Sequence, residues 1–239
     1  QKDKNGSMQP RLYVALSDEE RDGALNIGAT VTLGEQYFLT QSGNQFAGQQ
    51  VFLFNYDQIP YPQLDNAPAK PAELLQAIRG SSSSFGNAIA TDGNYFTIAA
   101  YGETYNTPEG QELWGAGKVY LYIYDPIAKD ATKLTGFNAP EPKAQHLFGT
   151  DIAMGNGYIL VSNQKNQIHL YKRNSDDSVT HLQTITHPSE GSGNSRLKLV
   201  GNRLVASNGK DAVHVYAIAN NELVFKQTIH NKAGTGFGQ

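Results

Sequence analysis

Phe85-Gly86-Asn87-Ala88-Ile89-Ala90-Thr91-Asp92-Gly93-Asn94-Tyr95-Phe96-Thr97-Ile98-Ala99 is echoed by Phe148-Gly149-Thr150-Asp151-Ile152-Ala153-Met154-Gly155-Asn156-Gly157-Tyr158-Ile159-Leu160-Val161. Each copy leads into a short alternating run that ends in an aromatic. That run occurs four times, as Val51-Phe52-Leu53-Phe54, Val119-Tyr120-Leu121-Tyr122, Ile168-His169-Leu170-Tyr171 and Val213-His214-Val215-Tyr216. A further apolar run follows each, at Leu75–Ile78, Leu134–Phe137, Leu182–Ile185 and, more loosely, Lys226–Ile229. The spacing of about 45 to 50 residues from Val119 onward, with a longer first interval from Val51, marks an internal repeat, as in a propeller or another repeat array.

Each unit reads as four strands, a to d, with period-two alternation and flanking Gly, Asn, Asp and Ser. Strand a is expected over Ile27–Leu33, Phe85–Thr91, Phe148–Met154 and Ser195–Val200, and strand b over Tyr37–Gln41, Tyr95–Ala100, Tyr158–Asn163 and Arg203–Asn208. Between them stand Gly34-Glu35-Gln36, Asp92-Gly93-Asn94, Gly155-Asn156-Gly157 and Gly201-Asn202, where Gly and Asn tolerate the positive φ of tight hairpins. No helix is needed. A four-stranded unit cannot cover its own edges and apolar face, so several must stack about an axis. The expected fold is all-β, a β-propeller of four-stranded antiparallel blades. A β-sandwich fits the alternation but would not require the same four-strand signature to recur.

The Phe-Gly-x-x-Ile-Ala start, the turn, the apolar strand and the Gly-x-Val-Tyr-x-Tyr that follows resemble FG-GAP repeats, the units of integrin α-subunit propellers and of many secreted bacterial propellers. The resemblance runs from Ile27 onward. It is good in the units starting at Phe85 and Phe148, partial at Ile27-Gly28, and degenerate at Ser195, where the Phe-Gly pair is gone. It implies adhesion and surface recognition, as in bacterial matrix adhesins. Since one fold hosts many activities, it speaks to fold more than to function.

Residues 1–10 are polar and are expected to be disordered, with the propeller over 11–239. Phe237-Gly238-Gln239 looks like the start of another unit, and Arg11–Leu16 like a strand before the first. Either the two close a composite fifth blade, or the four complete units belong to a larger propeller; an incomplete ring would self-associate through its open edges.

The 239 residues suffice for one such domain, and no linker marks a second. A net charge of −3 with scattered basic residues excludes a nucleic-acid footprint, and no apolar stretch is long enough to span a bilayer. With no cysteine, neither disulfides nor thiolate metal sites are available. Abundant Gly, Asn, Gln, Ser and Tyr with few Lys and Arg fit an extracellular or cell-surface location, and a chain beginning at Gln1 agrees with a mature form that has lost a signal peptide.

Loops of antiparallel blades alternate between two faces, so b-to-c loops and d-to-a connections share one of them. That face carries the long excursion 101–115, which holds the only Trp, two Tyr and three Glu. Long loops on rigid scaffolds concentrate binding residues. Aromatic rings beside carboxylates suit a sugar, which makes Tyr101, Tyr105 and Trp114 the candidate ligand contacts, for a glycan or an extracellular protein. The alternative is that these rings fold back to fill the gap between neighbouring blades.

Asp18, Glu20, Asp22 and Asn26 occupy the first, third, fifth and ninth positions of a segment with Gly23 at the sixth. This spacing resembles the calcium loop of integrin-type repeats, and calcium is the one cofactor expected. Glu at the third place and Asn at the ninth depart from the pattern, and the family sets its loop between strands a and b; a solvated acidic turn is the alternative. His169 and His214 stand where other units have Phe52 and Tyr120 and are expected to pack as half-buried strand residues. His146, His187 and His230 fall in connectors, either solvated or converging on a metal. Asp151 is the lone acid among the strand-a positions of the complete units, and one acid does not make a general acid and base. With no Gly-x-Ser-x-Gly, phosphate loop or His-Glu-x-x-His, the leading expectation is a secreted, non-enzymatic interaction module of adhesin or lectin type. The runner-up is a carbohydrate-active enzyme on the same scaffold, and a third reading is a structural segment of a larger assembly.

Overall fold

The computed structural model describes residues 27–34, 36–42, 50–55, 73–82, 84–186, 196–207 and 212–230. Among these there is no helix, and four antiparallel four-stranded sheets follow one another along the chain. The first contains β1 (Ile27–Leu33), β2 (Tyr37–Ser42), β3 (Gln50–Asn55) and β4 (Glu73–Arg79), side by side in that order. The second opens with β5 (Phe85–Asp92) and β6 (Tyr95–Ala100), carries a short ribbon of β7 (Tyr105–Asn106) and β8 (Glu112–Leu113), and ends with β9 (Lys118–Asp125) and β10 (Asp130–Phe137). The third is β11 (Ile152–Gly155), β12 (Tyr158–Ser162), β13 (Gln167–Arg173) and β14 (Val179–Thr186), and the fourth β15 (Leu197–Val200), β16 (Arg203–Ser207), β17 (Ala212–Ala219) and β18 (Glu222–His230). Each is a simple meander, as the period-two alternation dictates.

Neighbouring sheets meet face to face. β1 lies beside β5, β5 beside β11 and β11 beside β15, while β4 meets β10 and β14 meets β18 towards the last strands. The described residues thus make a row of four sheets and do not by themselves show a closed ring. Alternate residues of one strand serve two interfaces: Leu170 packs towards the fourth sheet with Leu204 and Tyr216, and Tyr171 packs towards the second with Val119 and Leu121. Burying each large side chain on such a face stabilises the fold by about 1.5–3 kcal/mol.

The Phe-Gly pair that begins the second and third sheets has a packing reason. Phe148 is fully buried against His169 and Tyr171 of its own sheet and Phe137 of the preceding one. Gly149 then turns at φ +97°, and a Cβ there would stand 3.0 Å from that of Ala99 in the preceding sheet. Phe85 and Gly86 repeat the device: the ring lies 5.8 Å from that of Tyr120, and a Cβ on Gly86, at φ +87°, would be 2.9 Å from Val51 Cγ2. Phenylalanine fills the sheet, and glycine lets the previous sheet approach.

The strand expectations hold with three differences. The third first-strand is shorter than Phe148–Met154 because Gly149 and Thr150 both send their N–H to the Ser162 carbonyl, which bulges the backbone before Ile152. The d strands are longer than expected. Each d strand also carries one extra residue, Leu75, Leu134, Leu182 or Lys226, at the same register step against its c strand. Such a bulge sharpens the local twist.

Polar contacts also cross between sheets. Asp92 Oδ2 accepts from Gly157 N at 2.7 Å, Asn156 Nδ2 donates to Asn202 Oδ1 at 3.0 Å, and the Arg173 guanidinium lies 3.5 Å from the Tyr95 ring centroid while pairing with Asp177 at 3.2 Å. An ammonium cannot reproduce the planar stack. Arg173→Lys is expected to lower unfolding stability by about 1 kcal/mol in urea titration, with Asp177→Asn costing less than half of that.

Candidate binding face

The excursion between β6 and β9 is a small folded unit. Thr107 N donates to the Gln111 carbonyl at 2.9 Å, Gly110 N to the Thr107 carbonyl at 2.9 Å, and Gln111 N to Thr107 Oγ1 at 3.1 Å, which closes the tip around Pro108. Below it Tyr105 pairs with Leu113 and Asn106 with Glu112. Tyr101 is 37% exposed, with its N–H on Asn87 Oδ1 at 3.3 Å, and Tyr105 is half-buried. Trp114 is 65% exposed and stacks on no other ring among the described residues. The idea that this indole plugs the gap between sheets is therefore corrected: β8 leads it into a turn that points it outward, and the seam behind is filled by Phe148 instead. Tyr105 is paired across the ribbon with Leu113 and not with another ring.

This loop is pinned where it returns to the sheet. Gln145 N donates to the Trp114 carbonyl at 2.8 Å, Leu147 N to Gly115 at 2.9 Å and Phe148 N to Ala116 at 3.1 Å. The same connector receives Gln164 N on the His146 carbonyl at 3.0 Å. A b-to-c loop of the second sheet, the d-to-a connector and the b-to-c loop of the third are thus one hydrogen-bonded surface, on a common face as the strand alternation expects. Gln145 and Leu147 take φ +59° and +52°, a left-handed conformation costly for side chains of their size and held by these bonds. Gly117, at φ +85°, sits where a Cβ would lie 2.1 Å from the Phe148 carbonyl oxygen, and Asn138 Nδ2 holds its carbonyl at 2.6 Å.

Behind the loop, the Tyr120 hydroxyl donates to Glu103 Oε1 at 2.5 Å. Burial first, and then that carboxylate, push the Tyr120 hydroxyl well above the usual phenol range. Burial and the same charge raise Tyr122 to about 12. Tyr120 therefore stays a hydrogen-bond donor at any working pH. Sequence reading counted Glu103 among the acids of the excursion but missed its tie to the c strand, which no spacing rule signals.

The remaining candidates fall elsewhere. Asp151 accepts from Leu197 N at 2.6 Å across the seam to the fourth sheet, and burial raises its carboxyl above the usual range despite that bond. It is a tie between sheets. His169 and His214 are buried more deeply than expected, at 3% and 5% exposure, and each meets a threonine of the next strand, Thr184 at 2.8 Å and Thr228 at 2.9 Å. His146 is half-buried, His230 is exposed, and His187 lies outside the described residues. Among the described residues no three His, Asp or Glu gather to hold a metal. The expected calcium ligands Asp18, Glu20, Asp22 and Asn26, the strand over Arg11–Leu16, the disordered segment 1–10 and Phe237-Gly238-Gln239 all lie outside the described residues.

No protein-family model matches the chain, and no curated protein matches it. Solved structures do. It is similar to a candidate 6-phosphogluconolactonase from Bacteroides fragilis (13% identity, 98% of this chain and 64% of that one, TM-score 0.61) and to another from Bacteroides uniformis (15%, 97% and 64%, TM-score 0.60). It is also similar to a protein from Lactobacillus plantarum (14%, 86% and 56%, TM-score 0.57). The chain spans between 56% and 64% of the length of these structures. At such identities the likeness concerns the fold alone.

Proposed function

We propose that the four sheets are blades of a β-propeller related to FG-GAP proteins, and that the chain is a secreted or cell-surface, non-enzymatic module that recognises a glycan or an extracellular protein through its loop-bearing face. The observation that supports this most is the 65% exposed Trp114 on a loop held by three backbone hydrogen bonds from the next connector. A large aromatic kept in water by a rigid frame, next to two residues with left-handed backbone, is preorganised for a partner. The tie of Glu103 to Tyr120 stiffens the base of the same loop.

The single tryptophan supplies its own reporter. Emission of the free protein is expected to be that of a water-exposed indole, quenched by acrylamide, and to shift blue with loss of quenching when a partner found on glycan and protein arrays is added. Trp114→Ala is expected to weaken that partner by about tenfold to a hundredfold, with smaller effects from Tyr101→Ala and Tyr105→Ala. Unchanged binding in the triple alanine variant would place recognition elsewhere. Turnover of 6-phosphogluconolactone by the purified chain would replace this reading with the enzymatic one that the names of the two Bacteroides structures suggest.

A further inference from the structure

Beside the pinned loop two lysines share one aromatic ring. Lys118 Nζ, on β9, stands 5.4 Å from the Tyr120 ring centroid, and Lys133 Nζ, on β10, stands 5.6 Å from it. The two ammonium groups are therefore at most about 11 Å apart, and neither forms an ion pair among the described residues. In a chain of net charge −3 with 19 basic residues against 22 acidic ones, two cations that share one ring and form no ion pair among the described residues stand out.

Their placement follows from the strands. Lys118, Tyr120 and Tyr122 alternate onto one face of β9, and Lys133 is the cross-strand partner of Tyr122. Gly136, the partner of Tyr120, keeps the floor open: a Cβ there would be 2.9 Å from Lys118 Cε and 3.0 Å from the Tyr120 ring. The equivalent positions in the third and fourth sheets hold Thr184 and Thr228, each bonded to a histidine. The Tyr120 hydroxyl is committed to Glu103 Oε1, whose second oxygen, Oε2, is buried and meets no hydrogen-bond partner. One carboxylate against two ammoniums leaves a net positive charge beside the Tyr120 ring.

We propose that Lys118 and Lys133 form an anion subsite of the glycan-binding face, so that the ligand is an acidic polysaccharide whose sugar carries a carboxylate or a sulfate. The anion pairs with the ammonium groups of Lys118 and Lys133, which both lie over the Tyr120 ring. This rests on the glycan reading above and narrows it. A neutral glycan gains nothing from the two ammoniums, whereas an anion relieves their mutual repulsion on binding.

The test measures binding of the full chain to oligogalacturonate, which carries carboxylates, to a sulfated carrageenan oligosaccharide, and to a neutral galacto-oligosaccharide, using Trp114 fluorescence and calorimetry. One or both acidic ligands should bind, with affinity falling as salt rises from about 0.05 to about 0.5 M. In Lys118→Gln/Lys133→Gln that affinity should drop by about a hundredfold, with the melting curve and any neutral binding unchanged. The acidic ligand that binds identifies the anion. Equal affinity for acidic and neutral sugars, or a double variant within about twofold of the parent, overturns the subsite and leaves the glycan reading standing. Binding of none of the three overturns both.

Discussion

Gly117→Ala is expected to destabilise the protein by about 3 kcal/mol, whereas Gly110→Ala, a few residues earlier on the same loop, costs about 1 kcal/mol. Both glycines sit at φ +85°, so the backbone term is shared. They differ in surroundings: nothing lies within 4 Å of a Cβ on Gly110, while a Cβ on Gly117 would be 2.1 Å from the Phe148 carbonyl oxygen and 2.6 Å from its nitrogen. The connector cannot retreat, because Phe148 N is bonded to the Ala116 carbonyl and its ring is fully buried. Urea titrations of the two variants isolate the close approach. Equal losses would show that the loop and connector can slide apart at no cost, and the preorganised face would then lack its frame.

Acid should undo the third sheet through His169. Its ring is 3% exposed, with Nδ1 on Thr184 Oγ1 at 2.8 Å and Nε2 3.4 Å from Asn163 Nδ2. Burial, and then the nearby His181 and His146, lower its pKa from 6.5 to about 4. His181 is itself lowered by burial, and His146 by burial and by Lys143 and Lys165, so the groups facing His169 resist protonation in the same sense. A depressed histidine stays neutral in the folded chain while the unfolded chain takes up a proton. Stability is therefore full above pH 6.5 and declines as pH falls from there towards about 4, by on the order of 3 kcal/mol from this residue. The repeat itself suggests the control, since the same cross-strand position in the first sheet pairs Phe52 with Ala77. His169→Phe/Thr184→Ala should fold and should flatten much of that decline in urea titrations at stepped pH, with the remainder belonging to His181, His146 and the carboxylates. Parallel losses in parent and variant across the window would assign the acid sensitivity elsewhere.

Much of the fold was legible because period-two alternation and the Phe-Gly recurrence are imposed by burial at the seams between consecutive sheets. Tyr95–Ala100 and the hairpin turns with positive φ at Gly93, Asn156, Gly157 and Gly201 were readable for that reason. The bulges at Leu75, Leu134, Leu182 and Lys226 were not, because an extra residue leaves the apolar run intact while shifting its register. At the binding face the loop was visible as a long polar insertion. The direction of Trp114 was not, since it depends on hydrogen bonds from Gln145, Leu147 and Phe148, residues some thirty positions away. Lys118 and Lys133 escaped notice because their meeting on Tyr120 follows from cross-strand register, which a linear pattern does not display.

Every core cluster among the described residues joins two consecutive sheets. A molecule stitched in this fashion has cooperativity that passes from neighbour to neighbour, like a line of dominoes. Loosening one seam should raise amide exchange first in the pair that flanks it and only later in sheets further along. The loop carrying the indole belongs to the second sheet but is braced by the third, so recognition at one place becomes a gauge of whether that single joint is intact.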